Sequence, residues 1–120
     1  MPTSAVPDPQ PPVSRDVLLD VHLRQAKDTH RIQIRRIRMV PGHAAGLHLH
    51  NGPVVGSIVD GSVTFQVEGQ PESVLGPGDV FFEPEAARIV RFDARSDGVT
   101  FLGYFLLGPG QEPEISFPDG

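Results

Sequence analysis

The sequence predicts an all-β fold of short antiparallel strands, arranged as a sandwich or a closed barrel. Three observations carry this. Val63, Phe65 and Val67 alternate strictly with Thr64 and Gln66, the period of a strand with one buried face. Turn signals recur on the order of every ten residues, at Pro41-Gly42, Asn51-Gly52-Pro53, Asp60-Gly61, Glu68-Gly69-Gln70-Pro71, Gly76-Pro77-Gly78-Asp79 and Asp97-Gly98. No run shows a helical stripe, and thirteen glycines with thirteen prolines suit a chain of many corners. At 120 residues the chain can hold one hydrophobic core and hardly two.

Taken in order, Pro2, Pro7, Pro9, Pro11 and Pro12 remove backbone donors and fix φ, so residues 1–16 are expected to form a flexible, polyproline-like arm. The folded domain is expected over 17–107. Arg31, Arg35, Arg36 and Arg38 load one candidate strand with positive charge, a device that blunts a sheet edge or pairs with acidic residues of a second subunit. In Gly46-Leu47-His48-Leu49-His50 a strand would turn both imidazoles to one face and both leucines to the other. Val54 to Val59 lead into Asp60-Gly61, read as the tight turn of a hairpin whose second strand is 62–68. Val54 to Val59 and Val99 to Leu107 are apolar at successive positions, predicting strands covered on both faces. After Gly108 a loose tail, 108–120, is expected.

Composition excludes several functions. No stretch approaches the ~20 consecutive apolar residues that span a bilayer. Without cysteine there is no disulfide framework, thiolate metal site or thiol nucleophile, so any metal ligands must be His, Asp, Glu or water. A net charge of −5 disfavours a nucleic-acid partner, whose phosphates demand excess Lys and Arg. The first residues lack the basic start and apolar run of a secretory signal, so a cytoplasmic location is the expectation.

His48 and His50, on one strand face, would have Cα atoms roughly 6–7 Å apart and could grip one ion, or could simply face solvent beside a turn. His43 is a reserve ligand in the Pro41-Gly42 turn, where solvation alone would explain it. Arg88 and Arg91 could anchor an anionic group in a barrel mouth, or lie solvated at a strand end. Tyr104, the sole tyrosine, is either a proton donor in a cavity or a core residue with a bonded hydroxyl. Gly56 lacks a side chain opposite the histidine strand, which would leave room for a ligand.

The segment Pro41-Gly42-x5-His48-x-His50, followed by Gly61 and then Gly78-Asp79-Val80-Phe81-Phe82-Glu83-Pro84, resembles the two motifs of the cupin superfamily across roughly residues 17 to 107. The resemblance implies a double-stranded β-helix, or jelly-roll, barrel. Gly42, His48, His50 and Gly61 match the first motif. Its metal-binding Glu would fall at Val54 or Val55, and the second motif's His at Ile89, so two of the family's four ligands are missing. A subset of small cupins that this chain resembles carries a Glu just before the second-motif Pro, here Glu83. A carboxylate in an otherwise apolar strand is costly unless a cation or several donors satisfy it. A divalent ion would do so; so would pairing with Arg88 or Arg91, or a turn toward solvent.

The resemblance therefore implies an enzyme with one divalent transition metal (Fe, Mn, Ni or Zn) held by His48, His50 and Glu83. Dioxygenase, isomerase, cyclase and lyase chemistry are all compatible with it. Arg88 would anchor, and Tyr104 protonate, a small organic substrate of anionic character. The alternative is a non-catalytic, metal-free cupin that binds a small organic ligand. By the same resemblance a homodimer is expected.

Overall fold

The computed structural model describes residues 11–118, and all the regular structure within them is β. The strands are β1 (Arg31–Met39), β2 (Leu49–His50), β3 (Val54–Val67), β4 (Ser73–Leu75), β5 (Val80–Glu83), β6 (Ile89–Leu107) and β7 (Ile115–Ser116). Every pairing among them is antiparallel.

Two long strands organise the molecule. β3 and β6 pair along their whole length, from Val54↔Phe105 to Val67↔Ile89, with register shifts between Ile58/Asp60 and Gly61/Val63. Bulges of this kind bend a strand and increase its twist. On one side of the bend, β1 flanks the 99–107 half of β6, and β5 flanks the 54–57 half of β3. On the other side, β4 flanks the second half of β3, and the segment from Gly42 to His48 runs beside Ile89 to Arg95 of β6. The two long strands thus pass from one layer into the other, which makes a jelly roll. The bend needs glycine twice. Gly61 and Gly98 have φ of 75° and 70°, and a Cβ on Gly61 would lie 2.1 Å from the Gly98 carbonyl oxygen.

The core fills the space between the layers with Ile58, Val63, Val67, Phe81, Ile89, Phe92, Val99 and Phe101, all buried. Phe92 packs tilted on Phe101 at 4.9 Å between ring centroids and edge-on to Phe81 at 5.2 Å.

Four expectations are corrected. Asp60-Gly61 is no hairpin turn, because β3 continues through it and finds its partner in β6 instead. The residues that alternate with the core positions of β3 and β6, among them Val55, Leu102, Tyr104 and Leu106, are half-buried rather than covered. Gly56 makes room for a side chain of the protein itself: it pairs with Phe81, whose ring would lie 2.0 Å from an added Cβ. Over its described residues, 108–118, the tail is held rather than loose, since β7 pairs with β2 and the Asn51 side chain exchanges hydrogen bonds with Glu112 and Glu114; residues 119–120 lie outside the described residues. Of the expected N-terminal arm, residues 1–10 lie outside the described residues; 11–16 are exposed and carry no strand or helix.

Candidate metal centre

The two histidines are placed by backbone pairing. His48 and Ile89 exchange both main-chain hydrogen bonds, at 3.1 and 2.8 Å, which fixes His48 beside the start of β6 in that strand's first layer. His50, two residues on in β2, presents its ring to the same side. The rings meet edge to face at 5.1 Å between centroids. Glu83 arrives from the other layer as the last residue of β5, in register with Val54 on β3. Directly paired residues share a sheet face. Glu83 therefore delivers a carboxylate one strand across from the position where the cupin pattern would place one.

The three side chains converge. Glu83 Oε2 lies 2.7 Å from His50 Nε2, and Glu83 Oε1 lies 3.7 Å from His48 Nε2, the first a hydrogen bond and the second a charge contact. His48 and Glu83 are each only 3% exposed. His48 Nδ1 stands 2.8 Å from the Gly46 carbonyl oxygen, so that nitrogen donates its hydrogen and Nε2 is turned toward the shared centre. Burial opposes charge on the His48 ring, but the Glu83 carboxylate and the Gly46 carbonyl outweigh it, and the ring titrates above the ordinary histidine value. Burial would likewise raise Glu83, but its contacts with His48 and His50, and their charge, hold it below the usual carboxylate range.

One ligand atom from each residue can be chosen so that all lie within 4.8 Å of one another. Donors around one small divalent ion, each about 2.0–2.2 Å from it, fall within roughly 4.4 Å of each other. Two imidazoles with one carboxylate, their donor atoms spread over no more than 4.8 Å, form a set that transition metals favour. The residues present fit such an ion.

The remaining expected site residues fall elsewhere. Arg88 points outward and binds Glu68 at 2.9 Å, and Arg91 binds Glu72 at 3.1 Å and Asp93 at 3.2 Å. Neither reaches the carboxylate of Glu83. Tyr104 is in register with Ile34 and Val55 on the outer face of the sheet, its hydroxyl 3.5 Å from Ser57 Oγ. Arg88 and Tyr104 thus stand outside the cavity they were expected to serve: Arg88 precedes β6 and is drawn to Glu68, and alternation along β6 sends Phe101 and Phe105 inward and Tyr104 outward. His43 lines the cavity but is exposed and is not one of the three converging donors. Ile89, at the missing histidine's place, is fully buried core. Ile115 and Phe117 line the cavity although the sequence reading passed over them; their period-2 spacing around Ser116 was the available signal.

A family model described as the cupin domain matches residues 35–98, more than half of the chain. The chain is a cupin. Among solved structures, it superposes on a chain from the crystal structures of the DMSP lyases RdDddP and RnDddQII with a TM-score of 0.62 and 26% identity, covering 71% of this cupin and 44% of that chain. The DMSP lyase DddQ from Ruegeria pomeroyi DSS-3 gives a TM-score of 0.65 at 23% identity, over 78% of this cupin and 46% of that chain. An RmlC-like cupin from Shewanella frigidimarina NCIMB 400 gives 0.56 at 25%, over 64% and 67%. The cupin therefore spans less than half the length of the DMSP lyase chains it matches. Comparison with curated proteins finds no match to it. Among the described residues no helix is long and apolar enough to cross a membrane.

Proposed function

We propose that this cupin is a metal-dependent enzyme acting on a small organic molecule, with His48, His50 and Glu83 holding one divalent ion of the Fe, Mn, Ni or Zn group. The convergence of two imidazoles and one buried carboxylate at the end of an apolar cavity carries the reading. The ion, when bound, would supply a Lewis acid with positions left open for substrate or water. The protein's own part is to orient and exclude. The Gly46 carbonyl fixes the His48 ring, Glu83 bridges the two layers between the imidazoles, and the phenylalanine walls give the centre an apolar surround.

A metal assay of untagged protein tests this. Wild type should carry close to one metal per chain after reconstitution, and His48→Ala and Glu83→Ala should each abolish it. A wild type that takes up no metal refutes the reading and favours a metal-free cupin binding a small organic ligand. That second reading has its own support: Glu83 is already satisfied by His50, and no buried side-chain polar atom among the described residues lacks a partner.

The homodimer reading is supported by the outer face of the β1 layer. Ile32 and Ile34, 63% and 59% exposed, pair there with Leu106 and Tyr104 and continue the half-buried apolar strip of β6. A second copy covering this strip would explain it. Sedimentation should give twice the chain mass for wild type and a monomer for Ile34→Glu; a monomeric wild type refutes the dimer.

A further inference from the structure

We infer that the ligand of this cavity carries its polar atoms at one end only, with an uncharged hydrocarbon body of about one aromatic ring at the other, and that the β7 segment is the wall that selects this body. The inference rests on the proposed metal centre for the polar end alone. The cavity measures about 250 Å³. Among the described residues its polar side chains are the three converging groups and His43, and no Lys, Arg, Asp, Asn, Gln, Ser or Thr lines it. The rest is hydrocarbon, led by Phe81, Phe92, Phe101 and Phe105.

Charge then limits the occupant. A dication with Glu83 leaves one net positive charge, enough to offset a single anionic head. A second charge on the ligand would be buried against phenylalanine with no partner, which is strongly unfavourable. Nearby cations do not help. Arg88 and Arg91 are engaged outside by Glu68, Glu72 and Asp93, and Arg35, on the cavity-facing side of β1 in register with Gly103, stands exposed at the rim over the Phe105 ring, 5.3 Å from its centroid, where it meets solvent and Gln33 rather than the interior. The expectation of an anionic substrate anchored by arginine is thus replaced by one of a mainly apolar substrate.

Size agrees: an apolar cavity of about 150 Å³ accepts benzene, so this one has room for a ring and a head of a few atoms. The wall that completes it is unusual. Ile115 is in register with His50, and the Phe117 ring lies 6.3 Å from the His48 ring, yet both keep open apolar surface, at 47% and 59% exposure. Two backbone hydrogen bonds to the Asn51 side chain, at 2.9 and 3.0 Å, hold the approach to β7 over the histidines. A hydrocarbon body in the cavity would cover what these two side chains leave open.

Two probes that differ only in the body test this. Acetohydroxamate and benzohydroxamate present the same metal-binding head, one on a methyl group and one on a phenyl ring. Titrated calorimetrically into zinc-reconstituted protein, benzohydroxamate should bind at least about tenfold more tightly, and Phe117→Ala should cut that ratio about threefold or more without changing acetohydroxamate affinity. Equal affinities for the two probes, a ratio unaffected by Phe117→Ala, or oxalate binding more tightly than benzoate would each overturn the inference. A second arm separates it from the metal reading. In metal-free protein, benzyl alcohol should shift the phenylalanine ring resonances saturably, and more weakly in Phe117→Ala. If zinc is not retained but these shifts occur, the metal reading fails and the apolar seat stands; if they do not occur, the apolar seat fails.

Discussion

The two ends of the barrel interior are built differently. Around the bend of β3 and β6 the layers close on one another: Val63 and Ile89 are fully buried, and the rings of Phe81, Phe92 and Phe101 pack edge-on or tilted within 6 Å of each other. At the other end the layer opposite β5 and β6 is, among the described residues, the short pair β2 and β7, two residues each, and the space is left hollow. Phe81, Phe92 and Phe101 belong to both, as core for one end and wall for the other. Stability is concentrated where long strands pair, and chemistry-bearing groups gather where short ones leave a gap. The division is physical: a filled core gains dispersion and burial at every atom, whereas a binding cavity must forgo them.

This contrast can be broken experimentally. The largest effect belongs to the packed end, where Phe92→Ala should cost about 3–5 kcal/mol in urea unfolding, since a ring buried between three others is lost. At the hollow end, free zinc at a thousandfold excess over its dissociation constant should add about 4 kcal/mol to wild type and nothing to His48→Ala. Protons should compete with it. In metal-free protein, His48 titrates above its ordinary value, so its contribution is complete below about pH 6.5 and is lost as pH rises through the folded value. Glu83 is depressed, so its contribution is present above the ordinary carboxylate range and is lost as pH falls through the folded value. Thermal melting of metal-free protein should therefore peak in mildly acidic buffer and decline toward alkaline pH. Excess zinc should reverse that decline, because ligation requires His48 to shed its proton. The smallest effect is at the β7 wall: Phe117→Ala should change stability by less than about 1 kcal/mol, as the ring is mostly exposed. A loss as large as that of Phe92→Ala would erase the distinction between the two ends.

Much of the fold was legible locally. The alternation of Val63, Phe65 and Val67 gave a correct strand, and positive φ was rightly demanded at Gly61. What that glycine does was not legible. A positive φ before an apolar run serves equally a two-residue turn or a bulge, and only the partner strand, with Gly98 directly behind Gly61, makes it a bulge. Gly56 shows the same limit, because nothing near it in sequence announces the Phe81 ring. The histidine pair was legible as a shared face, whereas Arg88 and Tyr104 were attractive by residue type and failed by direction. For Tyr104, one residue of phase along β6 decides whether the side chain enters the cavity, and for Arg88 the pull of Glu68 outside it does.

The sequence by itself determined the class of fold, the set of side chains able to bind a metal, and the absence of thiol chemistry, because periodicity, turn residues and composition are local properties. Only the tertiary structure decided that Glu83 meets His48 and His50, that β7 covers them, and that the arginines stay outside. Those facts depend on pairing between strands tens of residues apart, such as Val54 with Glu83 and His50 with Ile115. Such register is fixed by the packing of the whole sheet and by no single segment within it.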